Sequence, residues 1–203
     1  MRTLVIESAT EACSVALFDG GEFVAGEHRV IGRGHAEQLV PMIAQLPDRG
    51  RAARIAVSRG PGSFTGVRIG LAAARALALA WNAECLGYPT LALVAAMARD
   101  THPGPVTVCM TGGHGEWFVQ DFGTDGLPQA GLLSLRPEEA EGAHDCVAGS
   151  QAAALVARRG FGTVVDILPD ARHFPLLPAS LPTAGLAPIY GRPPDARLPE
   201  AAR

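Results

Sequence analysis

The segment Ser58-Arg-Gly-Pro-Gly-Ser-Phe-Thr-Gly-Val-Arg-Ile-Gly-Leu71 decides the fold, because it predicts a strand end, a tight turn and a helix start in direct succession. A short apolar strand at 54–58 leads into a turn at 60–62, where glycine allows a sharp change of direction. The hydroxyl of Ser63 or Thr65 is placed to cap a helix that runs to about residue 82. A buried strand that passes straight into a helix is typical of α/β proteins.

Upstream of this segment the sequence predicts three strands. Apolar stretches at 3–6 and 13–18 are separated by a turn rich in Ser and Thr. The sequence Asp19-Gly20-Gly21 supplies residues that tolerate positive φ, and it predicts a hairpin that returns through 22–30. We therefore expect the chain to begin as an antiparallel three-stranded unit.

Helical and strand patterns alternate in the rest of the first hundred residues. From His35 the apolar residues take helical spacing, and Pro41 removes one backbone donor and is expected to kink that helix. A strand at 84–87 and a helix at 90–99 follow the central segment. Antiparallel strands followed by strand-to-helix crossovers predict a mixed sheet with helices on its faces, which is an α/β architecture.

The clearest break in the chain is at 101–105, which has two prolines and a glycine. A second unit begins there, with a hairpin at 106–110 and 116–122 and a compact β-α-β pattern within 146–167. Prolines are frequent toward the end of the chain, which favours irregular structure. The predicted organisation is an N-terminal subdomain at 1–103, a smaller second subdomain at 104–190, and a flexible tail at 191–203.

The composition excludes several classes of enzyme. The chain has 203 residues, 48% of them hydrophobic, and all 17 of its basic residues are Arg. Without Lys it cannot form a Walker A loop, a protein-kinase site or a Schiff base. The six His residues never fall three or four apart, so no metal pair on a helix is expected. A serine hydrolase is disfavoured as well, because Ser63 does not lie in a Gly-x-Ser-x-Gly elbow.

Charge and hydropathy set expectations about partners and location. The net charge of −3 argues against strong binding of tRNA by the isolated chain. The four cysteines lie tens of residues apart, unlike zinc or redox motifs. No leader and no stretch long enough to span a bilayer is expected, which predicts a cytoplasmic protein without membrane contact.

The helix that follows the central turn has a stripe of small residues that recurs every fourth position. Such a stripe lets another backbone approach closely, and internal packing is its usual explanation. The larger residues Val67, Leu71 and Trp81 already supply a row that faces a core, which favours a partner on the other side. The helix that begins at His35 also has more apolar surface than one sheet face requires. The predicted partner interface consists of His35, Leu39, Met42, Ile43, Leu46, Gly66, Ile69, Gly70, Ala73 and Leu77.

Two turns rich in Gly, Ser and Thr are candidate phosphate loops. A helix N-terminus favours anions, because its unpaired N–H groups and its macrodipole are positive there. The residues concerned are Ser8, Thr10, Gly60, Gly62, Ser63 and Thr65.

One alternative function is therefore a nucleotide-binding enzyme that uses the loop at 60–66. It would be either a dinucleotide-binding protein with Glu84 as the ribose acid or a sugar-kinase-like phosphotransferase. Against these alternatives, the third glycine comes one position late and the helix entry has no Asp to serve as a general base.

Three stretches resemble the TsaB (YeaZ) family in order and spacing. They are Ile6-Glu-Ser-Ala-Thr-Glu-Ala-Cys-Ser-Val-Ala-Leu17, His35-Ala-Glu-Gln-Leu-Val-Pro41 and Arg59-Gly-Pro-Gly-Ser-Phe-Thr-Gly-Val-Arg-Ile-Gly70. The resemblance covers residues 1–90 most specifically. It implies an actin-like fold of the sugar-kinase, chaperone-ATPase and ribonuclease H-like type, with two related α/β halves.

The resemblance also implies a function and a set of partners. The family acts in tRNA threonylcarbamoyladenosine modification, as a non-catalytic scaffold that binds and activates the catalytic TsaD subunit, with TsaE as an ATPase companion. From the shared helix surface we expect a homodimer when the chain is alone, and from the net charge we expect contact with tRNA only through the complex. The missing Lys and His pairs predict no stoichiometric cofactor or metal on this chain. ATP would bind only in the complex.

The sequence departs from the superfamily pattern at three places. The acid that ends the first strand is Glu7 where Asp is usual, and no His pair follows the first half. The second-half loop has the sequence Thr111-Gly-Gly-His-Gly-Glu116 where relatives often have a stretch like Asp-Ala-Arg. These departures agree with the expectation that the chain has no catalytic residues.

Overall fold

The computed structural model describes residues 1–191, which form two five-stranded sheets. In the first sheet the strand order is β3-β2-β1-β4-β5. The pairs β1–β2 and β2–β3 are antiparallel, whereas β1–β4 and β4–β5 are parallel. Its strands are β1 (Arg2–Glu7), β2 (Ala12–Asp19), β3 (Glu22–Val30), β4 (Arg54–Ser58) and β5 (Glu84–Tyr88).

Helices cover both faces of the first sheet. The helices α1 (His35–Gln45) and α2 (Phe64–Trp81) pack on one face, against a row that includes Ile6 and Ile55. The helix α3 (Thr90–Thr101) packs on the other face, against the intervening residues of the same strands. This alternation follows from the period of two in a strand, which sends successive side chains to opposite faces.

The second sheet repeats the connectivity of the first, in the order β8-β7-β6-β9-β10. Again the pairs β6–β7 and β7–β8 are antiparallel, whereas β6–β9 and β9–β10 are parallel. The helix α4 (Ala152–Arg159) joins β9 to β10, at the position that α2 has between β4 and β5. The α/β class with two related halves is confirmed. The strands are β6 (Val106–Thr111), β7 (Trp117–Phe122), β8 (Leu133–Leu135), β9 (Cys146–Ala148) and β10 (Thr163–Val165).

One core joins the two sheets. The helix α3 is buried along most of its length between residues of the first sheet and apolar residues of β6 and β7. A 3₁₀ segment at Ala171–Leu176 returns to the first sheet and packs beside α3. The halves therefore share buried apolar surface across their junction.

Local predictions from the sequence agree with the structure at several turns. The hairpin between β2 and β3 has Gly20 at φ 60° and Gly21 at φ 95°. Ser63 caps α2, since its Oγ accepts a hydrogen bond from the Gly66 amide at 3.3 Å. Helix α1 continues through Pro41 to Gln45, with the proline on its exposed side, and the expected kink or loosening at Pro41 stays a prediction.

The expectation that no stretch is long enough to cross a membrane was wrong for α2. This helix has 18 residues and, by length and composition alone, would suffice for a span. It packs against β1, β4 and β5, as the helix of an α/β sheet does. The predicted boundary at 103/104 stays a prediction, and residues 192–203 of the predicted tail lie outside the described residues.

Candidate functional site

The α1 half of the predicted partner interface lies in the core. The side chains of His35, Leu39, Met42, Ile43 and Leu46 are all 7% exposed or less and pack toward the first sheet. The apolar spacing of this helix was recognised correctly, but it marks the face that the sheet covers. These five residues are therefore unavailable to a partner of the folded chain.

The glycines of α2 are also internal. A Cβ at Gly66 would lie 2.1 Å from the carbonyl oxygen of Ser8, and a Cβ at Gly70 would lie 2.4 Å from the Ser8 Oγ. The close approach predicted by the small-residue stripe is thus made to the turn after β1. The prediction that Gly66 and Gly70 face a partner was wrong, because the backbone and the side chain of Ser8 occupy that space.

The side of α2 opposite these glycines carries a bare apolar surface. Leu79 is 87% exposed and, nine residues after Gly70, lies half a turn away from it around the helix. On the neighbouring helix α1, Val40 is 58% exposed. The predicted interface residues Ile69, Ala73 and Leu77 are half-buried at the margin of this surface. We call the exposed apolar set the docking face: Ala36, Val40, Pro41 and Ala44 of α1, and Ala72, Ala76, Leu79 and Ala80 of α2.

The sequence contained a signal for this face. The buried row of α2 predicted from Val67 and Leu71 fixes the helix orientation, and Leu79 is then the large apolar residue that points away from it. Such a residue on an ordinary sheet helix would face water. The stripe of small residues lies on the opposite, buried side of the same helix.

Two arginines of α2 border the docking face. The helix α2 itself contains no acidic residue. Arg68 donates to the Tyr190 hydroxyl at 3.2 Å, and its guanidinium lies 3.5 Å from the centre of the Phe64 ring. Arg75 donates to the carbonyl oxygen of Leu186 at 3.0 Å. These bonds fasten the chain segment at 186–190 along one side of α2, so the face is open on the α1 side.

The turn after β1, residues 8–12, anchors the N-termini of both helices. Toward α2, the Ser63 amide donates to the carbonyl oxygen of Ala9 at 2.6 Å, and the Ser8 hydroxyl donates to the carbonyl oxygen of Gly66 at 3.0 Å. Toward α1, the His35 Nε2 lies 3.2 Å from the carbonyl oxygen of Ala12. We call residues 8–12 the anchor turn, because the placement of the docking face depends on it.

Glu7 lies directly beneath the anchor turn and is fully buried. Its Oε1 accepts a hydrogen bond from the Ala9 amide at 2.8 Å, whereas its Oε2 has no hydrogen-bond partner among the described residues. Burial raises the pKa of Glu7 to about 7, although the Ala9 amide and the hydroxyls of Ser58 and Tyr88 oppose the rise. The carboxyl group has no access to solvent, which does not suit a catalytic or metal-positioning acid.

The polar groups around Glu7 hold the ends of three neighbouring strands together. Ser58 and Thr90 share a hydrogen bond of 2.6 Å between their hydroxyls, and the Gly60 amide donates to Ser58 Oγ at 3.3 Å. The Tyr88 hydroxyl donates to the carbonyl oxygen of Ile6 at 3.0 Å. The network therefore fixes both the anchor turn and the turn that leads into α2.

The candidate phosphate-loop residues are mostly engaged with the chain itself. Besides the bonds of Ser8 and Ser63, the Thr10 hydroxyl accepts from the Ala12 amide at 3.2 Å. A Cβ at Gly62 would lie 2.0 Å from the carbonyl oxygen of Ala9, and Gly60 has a φ of 88°. These glycines are required by turn geometry and close packing. Thr65 remains exposed at the start of α2.

A cleft of about 640 Å³ lies between the two halves. Its walls include the anchor turn on one side and the β6–β7 loop with His114 on the other, with Phe64, Phe118 and Tyr190 as apolar lining. Within residues 1–191 no group of three His, Cys, Asp or Glu side chains could hold a metal ion. From the Thr111–Glu116 loop, the residues that line the cleft are Thr111, Gly112, Gly113 and His114.

Comparisons with known proteins find relatives in tRNA modification. A family model described as TsaD, tRNA N6-adenosine threonylcarbamoyltransferase, matches residues 29–126. The TsaB proteins of Escherichia coli and Haemophilus influenzae, described as tRNA threonylcarbamoyladenosine biosynthesis proteins, are 40% and 36% identical over 100 and 104 residues. These matches cover 47% and 49% of this chain but only 43% and 44% of the relatives, which is less than half of their length.

A solved structure extends the similarity to nearly the whole chain. The YeaZ protein from Pseudomonas aeruginosa matches with a TM-score of 0.80 and 28% sequence identity, covering 93% of this chain and 99% of that one. The family-model match at 29–126 includes both docking helices, and the structural match includes both sheets. Sequence and structure together support the TsaB (YeaZ) family for this chain.

Proposed function

We propose that this chain is a non-catalytic subunit in the biosynthesis of threonylcarbamoyladenosine on tRNA, and that it docks through α1 and α2 onto a TsaD-like catalytic subunit. The observation that carries the proposal is the docking face, an exposed apolar surface on two helices that are rigidly anchored to one turn. Contiguous apolar surface of this kind marks sites of protein association.

The kind of partner is suggested by the fold that the two families share. The TsaD family model matches residues 29–126, a range that includes both docking helices. A TsaD protein from Solidesulfovibrio magneticus is 33% identical over 137 residues, 56% of this chain and 37% of that protein. A relative with equivalent helices can present them to this face in an antiparallel arrangement, which gives a four-helix contact with approximate twofold symmetry.

The same geometry accounts for the proposed behaviour of the isolated chain. A second copy would use the same helices, so we propose a homodimer that competes with the complex. We further propose that a TsaE-like ATPase joins the complex, that tRNA binds only through it, and that the assembly works in the cytoplasm. The chain alone is proposed to hold no nucleotide or metal in stoichiometric amount.

Several features of the described residues support a role without catalysis. The chain has no Lys, and its strand-end acid Glu7 is buried away from the cleft. General acid–base catalysis requires a group that reaches the substrate, which Glu7 cannot do in this conformation. The nucleotide-binding alternative is supported by the cleft alone, since most of its predicted loop hydroxyls are already hydrogen-bonded within the chain.

Reconstitution tests the proposal. Threonylcarbamoyl transfer to tRNA is measured with the TsaD-like and TsaE-like proteins, with this chain, and with all three together. We expect transfer only when this chain is added to the other two, and a stable complex with the TsaD-like subunit by size-exclusion chromatography. Steady transfer by this chain alone, or full activity without it, would overturn the proposal.

A further inference from the structure

The anchor turn connects a buried acid to the docking face. Oε1 of Glu7 holds the Ala9 amide, and the carbonyl oxygen of Ala9 in turn holds the amide of Ser63 at the start of α2. On the other side, the carbonyl oxygen of Glu11 accepts the amides of Ile31 and Gly32 at 2.9 Å each, just before α1. Both docking helices are thus positioned by a turn that rests on one carboxyl group.

The carboxyl group of Glu7 has no positive partner. Among residues 1–191 no basic side chain forms an ion pair with it, and Oε2 is buried without a hydrogen-bond donor. Burying an ionised carboxylate without a partner is costly, whereas a protonated carboxyl group can donate its proton to a neighbouring hydroxyl. The hydroxyls of Ser58 and Tyr88 favour the ionised form of this carboxyl group, but burial outweighs them and raises its pKa.

The other titratable groups that face Glu7 stay neutral near physiological pH. They are Cys13 on β2 and Tyr88 on β5. Burial raises the pKa of Cys13 to about 11, and burial also raises the pKa of Tyr88 well above its ordinary value. Among these groups a change of charge between pH 6 and 8 would therefore come from Glu7. The His35 imidazole contacts the anchor turn from α1, at the carbonyl oxygen of Ala12. It is common to the wild type and Glu7→Gln, so the comparison of these two proteins separates the effect of Glu7 from that of His35.

We propose that Glu7 is a proton-dependent latch: its neutral form holds the anchor turn closed and keeps α1 and α2 in the arrangement that binds the partner. When Oε2 loses its proton to solvent, the buried negative charge favours conformations in which the turn opens and water reaches the carboxylate. The docking helices lose their common anchor in those conformations. Glu7 is thus a positioning residue, and its effect on docking rests on the proposed function.

The first experiment measures docking against pH. Affinity for the TsaD-like subunit is determined by calorimetry from pH 6 to 8 for the wild type, Glu7→Gln and Glu22→Gln. Gln is neutral throughout, and Glu22 is an exposed acid in β3 that serves as the matched control. If only the neutral form is competent, affinity falls by about tenfold one pH unit above the pKa, because roughly a tenth of the molecules stay protonated. We expect this fall in the wild type and in Glu22→Gln, and a flat profile in Glu7→Gln.

The second experiment needs no partner and no variant. The ¹³C resonance of the Glu7 carboxyl carbon is titrated, and the exchange protection of the Ala9 and Ser63 amides is measured at pH 6 and pH 8 in the wild type. We expect a midpoint near 7 and lower protection at pH 8 after correction for the intrinsic exchange rate. Equal protection at both pH values, or identical pH profiles for the wild type and Glu7→Gln, would overturn the latch. If no complex forms at any pH, the proposed function fails, and amide protection still decides the latch.

Discussion

The two halves of the molecule have the same strand order, but the helices on their outer surfaces differ. In the first half α2 runs for 18 residues and carries Leu79 on its bare side, whereas α4, at the equivalent position in the second half, has eight residues. The last residues of α4, Arg158 and Arg159, donate to backbone carbonyl groups within 138–145. The second half therefore ties the C-terminal end of its helix to its own loop.

This difference indicates which half of the molecule has apolar surface that its own chain does not cover. A repeated fold provides two equivalent helices, and only the longer one, α2, exposes a large apolar side chain, Leu79. The apolar residues of α2 exceed what the first sheet can cover. The comparison favours a docking surface on the first half alone, and the following substitutions test it in order of decreasing effect on stability.

The same substitution on the two equivalent helices separates burial from exposure. Leu155 of α4 is fully buried in a small cluster with Val119 and Val147, whereas Leu79 of α2 is exposed. We expect Leu155→Ala to lower the free energy of unfolding by about 2–4 kcal/mol, through lost contacts and a residual cavity. Leu79→Ala should change it by less than about 0.5 kcal/mol. Urea denaturation of both variants gives these values, and equal losses would contradict the comparison.

The inner side of α2 is tested by Gly70→Leu. The added side chain would meet Ser8 and Val57, so we expect a loss of about 1–3 kcal/mol or more in the free energy of unfolding. Ala73→Leu, at a half-buried position one residue row away, is the control and should cost less than about 1 kcal/mol. If Gly70→Leu melts at the wild-type temperature, the glycine stripe is not internal packing.

The buried acid beneath α2 should make stability depend on pH. Because the pKa of Glu7 in the folded state, about 7, lies above its ordinary value, the folded chain binds more protons between the two values. Stability therefore falls as pH rises toward 7 and stays low above it. Relative to wild type, Glu7→Gln should gain up to about 3 kcal/mol between pH 4.5 and pH 8. Denaturation curves across this range that run parallel for both proteins would refute the assignment.

The fold could be predicted from the sequence because its local signals agreed with one another. The glycine pair at 20–21, the Ser63 cap and the alternation of apolar residues each required a particular turn, helix or strand, and the structure has them at those places. The repeat of the strand order in the second half was weaker in sequence, since β8, β9 and β10 have only three residues each. The relation between the two halves was predicted from the resemblance to a known family.

The faces of the docking helices could not be predicted in the same way. Helical periodicity identifies a stripe but does not say whether a sheet or a partner covers it, and α2 has small apolar residues on all sides. What decides its orientation is a long-range contact between Ser8 and Gly66, residues 58 apart in the chain. The same holds for Glu7, whose environment is formed by strands β4 and β5.

The docking face itself is tested most directly by placing a charge at its centre. Leu79→Arg puts a guanidinium on the exposed side of α2, and Leu133→Arg, at a 51% exposed position on β8, is the matched control in the second half. Both variants should unfold within about 0.5 kcal/mol of the wild type, since neither side chain enters the core. Calorimetric titration with the TsaD-like subunit should show an affinity at least about 30-fold lower for Leu79→Arg, the loss of about 2 kcal/mol typical of a hot spot, and no change for Leu133→Arg. Wild-type affinity in Leu79→Arg would contradict docking through this face.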